Sequence, residues 1–489
     1  MALAVFFTGW AASKPVGSDT DDHIHLMHAW CGENGSSGRC ERDHDNYNHQ
    51  FVPKLITDGM SCSSVNWDYW NSARCQNRIS THDMISVLIV DYGHYPSLFK
   101  DIQGLLVSEN IVVSVFRIRL LGAVLFVFAV GAGLFATKGR NVNTWFYLVV
   151  VCSPSLISMV ASANPMSFSY SAAVGFALLH LRLERSNTLK GHLHLGVIGA
   201  SLSFAFLAWN SRPDSRLSIT IAGFAYCTYF LWRWIRGEDR SISKGVAIVG
   251  ITVSTSLLLI YAEREIRRFL IFPANTKSDA EPANLLIQNL FRLPQFLQTA
   301  LFGDPHGSYA TGVSPKLSVW LSSTSLICLL ILCRSSKSKR SPLPFFYRYI
   351  PLLAVCAAVL VTHQIVGEKL LESSIHPRYF LPYIALALAA PIKGLELHRR
   401  KMTVLLISIS ASCSTVIAIA ANIYRYVAGI NPDGLMPYVV PVLTLDWRTT
   451  EWEQSVIPVN TGILFVAMSA LALRLYAIGP LLIMRHSHT

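Results

Sequence analysis

Long apolar runs recur along this chain, and they decide what it can fold into. They fall at 112–136, 143–163, 167–182, 192–209, 217–233, 245–262, 317–333, 347–366, 379–395, 402–422 and 460–480. A helix that crosses the hydrocarbon core of a bilayer needs about 20 mostly apolar residues. A water-soluble fold of 489 residues could not cover its surface with only 14% charged side chains. The pattern therefore predicts an all-α polytopic membrane protein. With the N-terminal run Met1 to Ala12 there are about 12 transmembrane helices. That first run rises only about 18 Å, against a core of roughly 30 Å. Its start is truncated, or the helix is short, or it is a cleaved signal peptide. The last reading lacks a basic n-region. All three put Ser18 outside.

Charge sets the orientation. With the N-terminus inside, the inner loops are 137–142, 182–191, 233–244, 334–348, 393–401 and the tail from Arg485. They hold 19 Lys and Arg and four acids, against 21 basic and 25 acidic residues outside. The net charge of +12 is thus a positive-inside signal and not a footprint for nucleic acid. Six cysteines (Cys152, Cys227, Cys328, Cys333, Cys356 and Cys413) fall in or beside apolar spans, where Cys behaves as a small hydrophobe. Cys31, Cys40, Cys62 and Cys75 all lie in the first outer loop. On an oxidising face they predict two disulfides, with three pairings open.

The outer face carries the polar machinery. Its first loop, 13–110, is the longest and contains "HDMISVLIVDYGH" (82–94) and "YPSLFKDIQGLLVSEN" (95–110), both readable as short amphipathic helices. Outer loops 263–316 and 424–459 follow. The expected organisation is a membrane module over 1–270, including the loop 13–110, and a C-terminal transmembrane module over 271–489 with those two loops. Inner loops are too small for a nucleotide-binding domain, and no phosphate loop, nucleophile elbow or zinc-protease helix is present.

Four places could carry chemistry. Asp21 and Asp22 follow the first span closely. An adjacent carboxylate pair can act as general base on a hydroxyl, or can hold a divalent cation. A solvated acidic turn explains the same residues without chemistry. His25 and His28 follow at spacings that share a helix face with the pair. A metal cluster of His23, His25 and His28 is the weaker reading. In "SSIHPRYFLPY" (373–383), His376, Arg378 and Tyr379 stand where a lipid phosphate would lie, and Arg suits bidentate phosphate binding. A snorkelling Arg beside an interfacial Tyr is the plain alternative. Arg117 and Arg119, at the outer end of a span, call for a lipid phosphate or a carboxylate as partner. Asn164-Pro165 breaks the chain between two spans.

A short first span followed by an acidic pair in a long outer loop resembles the GT-C superfamily of membrane glycosyltransferases. More closely, it resembles an uncharacterised bacterial family of predicted polytopic membrane proteins of that type. "DDHIHLMHA" (21–29) matches that family's first-loop pattern, with Asp22 for the usual Glu and His28 for the usual Arg. "YPSLFK" (95–100), Arg119-Leu120, Asn164-Pro165, "SRPDS" (211–215) and "PRYFLP" (377–382) match further segments in order.

The resemblance implies transfer of a sugar from a polyprenyl-phosphate carrier to an envelope glycan or lipid acceptor. It places the active site of a multi-pass plasma-membrane enzyme on the extracytoplasmic side. Asp21 or Asp22 would be the base, with Asp21, the family's first acid, preferred. His25, His28, Arg117, Arg119, Asn164, His376, Arg378 and Tyr379 would bind substrate or donor phosphate. It leaves Asp19 and His23 as bystanders. Membrane lipids and the lipid-linked sugar are the expected partners, nucleic acid is not, and a divalent cation is the one cofactor the acidic pair admits. A lipid-linked glycan polymerase or ligase, a transporter or flippase, and a non-enzymatic scaffold are the competing readings.

Overall fold

The structure is a computed structural model. It describes residues 2–12, 14–19, 21–32, 39–46, 49–63, 65–66, 69–70, 76, 78–88, 96–136, 142–183, 191–235, 248–249, 252–253, 255–256, 282–302, 377–393 and 401–428. The expected spans at 317–333, 347–366 and 460–480, and most of 245–262, lie outside these residues, as does the loop 424–459 apart from its first residues.

Among the described residues, most of the expected apolar runs are helical. A short helix α1 (Ala2–Ala12) packs on the long helix α5 (Ile111–Ala136), Phe7 meeting Phe126 edge to face at 5.1 Å. Helices α8 (Met166–Leu183), α9 (Gly191–Trp209) and α10 (Pro213–Ile235) follow. Glycines set two of the contacts. A methyl group at Gly133 of α5 would stand 2.5 Å from Leu178 of α8. One at Gly175 would stand 2.8 Å from the Phe204 ring of α9. Only the bare backbone permits packing this close. Late in the chain, α12 (Leu381–Lys393) and α13 (Lys401–Ala428) join the same bundle core. A helix over Pro282–Phe302, α11, rises within the expected outer loop 263–316, where no helix was anticipated.

The apolar run 143–163 is not one continuous helix. It is α6 (Val142–Val151) and α7 (Pro154–Val160), with a bend of 81° between them. The break is written in Cys152-Ser153-Pro154. Ser153 caps α7 by accepting the Leu156 N–H at 3.3 Å, and Pro154 sits in the first turn, where its missing N–H costs nothing. Among the described residues two helices are long and apolar enough to cross a membrane, Ile111–Ala136 and Met402–Ile419, or up to three if the bent pair is one span. Apolar side chains such as Phe128 and Phe135 of α5 and Leu202 and Phe206 of α9 face outward, as lipid contact requires.

The first loop is not purely helical. The stretch 82–94 was expected to be an amphipathic helix, but Met84–Leu88 is a strand, β4. It pairs antiparallel with β1 (His49–Pro53), His49 opposite Leu88 and Pro53 opposite Met84. β-Branched Ile85 and Val87 alternate with Ser86, a period-2 pattern that favours a strand over a short helix. A second two-stranded sheet pairs β2 (Val65–Asn66) with β3 (Tyr69–Trp70), following helix α3 (Lys54–Ser63). Helix α4 (Ser97–Gly104) forms within 95–110 as expected. Helix α2 (Asp22–Cys31) begins within the acidic pair and packs on α3 and α4. Cys31 and Cys40 are joined, and Cys62 is also disulfide-bonded, while Cys75 lies outside the described residues.

The loop has its own core, which includes Val16, Leu26, Trp30, Val52, Ile56, Ile111, Val115, Ile118 and Ala163. The bundle core begins where this one ends. Among the described residues the chain passes between them four times: from Ala11 to Val16, from Ile118 to Ala123, from Ala161 to Ala163, and from Ala163 to Met166.

Candidate functional site

These crossings meet at one cluster of charge. After α1 the chain reverses through Gly17, at φ 66°, with the Ser18 N–H donating to Pro15 O at 3.3 Å. A second turn follows as Asp22 N–H donates to Asp19 O at 3.2 Å. Asp21, the residue before α2, takes φ 61°, the only positive φ outside glycine among the described residues. Asp adopts this left-handed conformation more readily than most side chains.

These turns aim Asp19 and Asp22 inward, where Lys14 and Arg119 await them. Lys14, Asp22 and Arg119 are at most 1% exposed and Asp19 is 6% exposed. Lys14 Nζ lies 2.6 and 2.7 Å from the two Asp19 oxygens. Arg119 Nη2 donates to Asp22 Oδ2 at 2.7 Å, and its Nε stands 3.9 Å from Asp19 Oδ2. Two further Arg119 bonds, to Lys14 O at 2.6 Å and Pro15 O at 2.7 Å, clamp the reversing backbone. The remaining Asp22 oxygen accepts the Ala163 N–H at 2.9 Å. Two cations and two carboxylates thus compensate one another in a place where a lone charge could not be sustained. Burial lowers the Lys14 pKa from 10.5 to about 8 despite its carboxylate partner, and raises that of Asp19 despite its ammonium partner. Both shifts have the same cause, loss of water around the charged form. Burial likewise lowers the His23 imidazole, against the pull of Asp21 and Asp22.

The turn 161–164 links this cluster to the late segment. Gln103 of α4 donates to Ala163 O at 2.8 Å, tying the loop down. Asn164 Oδ1 accepts the Met166 N–H at 3.0 Å, starting α8, and faces Arg212 Nη1 at 3.4 Å. The Arg212 guanidinium lies over the Tyr379 ring, 4.5 Å from its centre. Tyr379 belongs to the 3₁₀ turn Pro377–Phe380, which also carries Arg378.

The expected site residues therefore separate. Asp22, Arg119 and Asn164 are buried in this network, and Tyr379 joins it through Arg212. Asp21 is half-buried at its edge. His25 and His28 are buried on α2, the His25 ring perpendicular to Phe99 at 6.3 Å. Arg117, two residues before Arg119 on α5, is exposed and lies outside the buried network. His376 lies outside the described residues. Lys14, Asp19 and Arg212 are the residues the sequence reading passed over. The signal for Arg212 lies in "SRPDS", a matching family segment to which no role was attached. Nothing in the sequence pairs Lys14 with Asp19 across a chain reversal. Among the described residues no group of three His, Cys, Asp or Glu side chains is arranged to hold a metal ion. With both Asp22 oxygens and both Asp19 oxygens engaged by donors, the acidic cluster does not fit a resident divalent cation.

Residues 4–387 match a family described as predicted membrane protein (DUF2142). No curated protein and no solved structure matches the chain.

Proposed function

We propose, from the premise that the chain belongs to the DUF2142 family of predicted membrane proteins, that it is a multi-pass glycosyltransferase of the GT-C type. In this reading it transfers a sugar from a polyprenyl-phosphate donor to a glycan or lipid acceptor of the cell envelope, on the outer face. Asp21 is the general base. It removes the proton of the acceptor hydroxyl, whose oxygen forms the new bond to the anomeric carbon. The bond from that carbon to the phosphate oxygen breaks, inverting the centre, and the lipid phosphate leaves. Arg378 offsets the charge that develops on the phosphate.

The observation that carries this reading is the division of labour in the acidic pair. Asp22 holds the fold through Arg119 and Ala163. Asp21, its neighbour, stands half-exposed at the edge of that fixed frame, in a backbone conformation that the frame over-determines. A general base must be both reachable and held still. The contiguous path from Asp22 through Ala163, Asn164, Arg212 and Tyr379 supports a single site that joins the first loop to the 377–380 turn.

The test is sugar transfer by purified protein from a panel of polyprenyl-phosphate sugars. Asp21→Asn keeps the backbone preference and removes the base. The expected loss is at least about 100-fold, within the usual contribution of a positioned acid–base group. Full activity in Asp21→Asn, in Asp22→Asn and in the double variant would defeat the proposal. A flippase is the second reading, favoured by the α6–α7 break, since broken helices line translocation paths. Movement of labelled carrier lipid across vesicles, without transfer of its sugar, would select it.

A further inference from the structure

The ammonium of Lys14 is held as a bound ion is held. Five oxygens receive it: Asp19 Oδ1 at 2.6 Å, Asp19 Oδ2 at 2.7 Å, Ser158 O at 2.8 Å, Ala161 O at 3.2 Å and Ser158 Oγ at 3.4 Å. Ser158 O and Ala161 O lie at the C-terminal end of α7. Carbonyls there have no partner within their helix and carry its negative pole. Ser158 Oγ also donates to Asp19 Oδ1 at 3.1 Å, which fixes the carboxylate relative to the helix end. The Trp10 ring closes one side, its centre 5.1 Å from Nζ.

The dimensions and the charge of this cage both select a single positive charge of ammonium size. Its oxygens stand farther from the centre than the 2.0–2.1 Å, roughly, that magnesium demands, and most lie beyond the roughly 2.3–2.6 Å typical of calcium. One formal carboxylate faces the ion, and Arg119 Nε approaches the same carboxylate to 3.9 Å. A dication would meet that second cation without a second free acid. Carbonyl oxygens around a dehydrated monovalent ion are a familiar arrangement in membrane proteins. We propose that the end of α7 is a monovalent-cation site whose resident ion is the tethered ammonium of Lys14, and that Lys14→Ala opens it to a free ion of potassium size. The inference is independent of the sugar-transfer reading, because folding alone reports it.

The experiment is thermal unfolding of purified protein in lipid nanodiscs. Potassium chloride is compared with choline chloride at equal ionic strength, each with and without EDTA. The wild type is expected to unfold at one temperature in all four buffers. Lys14→Ala should unfold earlier in choline and recover by about 2 °C or more in potassium, saturably, as a ligand-bound folded state does. Lys14→Met fills the cage without charge and should stay low in both salts. A Lys14→Ala protein indifferent to potassium overturns the proposal, as does a wild type that loses stability in EDTA. Where Lys14→Ala does not fold, acylation of wild-type amines at pH 8.5 decides. Lys14 should resist while Lys54, whose side chain is 41% exposed, reacts, and equal rates at the two lysines overturn the cage.

Discussion

Arg119 illustrates how much of a residue's role lies in its partner. A near-membrane Arg wants a phosphate or a carboxylate, and the fold supplies the carboxylate of Asp22, 97 positions away, at 2.7 Å. Removing one member of a buried pair leaves the other uncompensated, at a cost of about 3–5 kcal/mol. Arg119→Met should therefore sharply reduce stability to detergent-monitored unfolding. Adding Asp22→Leu should recover part of the loss, since replacing a whole buried pair with apolar groups is far less costly. Equal stability of single and double variants would count against mutual compensation. The sign of the Lys14 titration can also be checked. Its pKa falls from 10.5 unfolded to about 8 folded, so between those values the unfolded chain binds more protons. Stability should thus rise with pH across that window, relative to Lys14→Met, which does not titrate there. At this scale the sequence showed which residue types were out of place, Asp21, Asp22 and Arg119 among them. It could not show who faces whom, because pairings such as Lys14 with Ser158 depend on the distant return of α7.

The helices were legible because each carries its apolar run unbroken, and α5, α8 and α9 begin and end within a residue or two of the expected limits. The misses have local causes. The run 143–163 counts as one span by hydropathy, yet Ser153-Pro154 stops and restarts the helix. β4 was misread because a short apolar stretch suits either period until its partner strand is known. Close packing between elements gives a paired prediction on α5. Gly133→Ala would thrust a methyl group to 2.5 Å from Leu178, while Gly131→Ala meets nothing within 4 Å. The first should destabilise by about 1–3 kcal/mol. The second should be neutral or slightly stabilising, since Ala is the better helix former. Unfolding midpoints of the two variants provide the check, and equal midpoints would refute the α5–α8 contact.

For the whole molecule, family and apolar helices place the protein in a membrane. The number of crossings and the side on which the loop lies belong to the proposal, and charge bias is what supports them. A reporter enzyme that works only outside the cytoplasm should be active when joined after Asn110 and inactive when joined after Lys190. The reverse pattern would put the acidic cluster on the wrong side for a lipid-linked donor in the outer leaflet. The Cys31–Cys40 bond agrees with an oxidising environment for the loop.

The balance of the buried cluster has a consequence for an energised membrane. A single charge carried across the membrane potential involves about 2.3 kcal/mol per 100 mV. Lys14, Arg119, Asp19 and Asp22 together carry two positive and two negative charges, linked within 2.6–3.9 Å. A displacement of the group as a unit does almost no electrical work. The loop and the bundle are thus joined by a cluster without net charge that the transmembrane voltage cannot pull on, and depolarising the cell should leave this junction as it is.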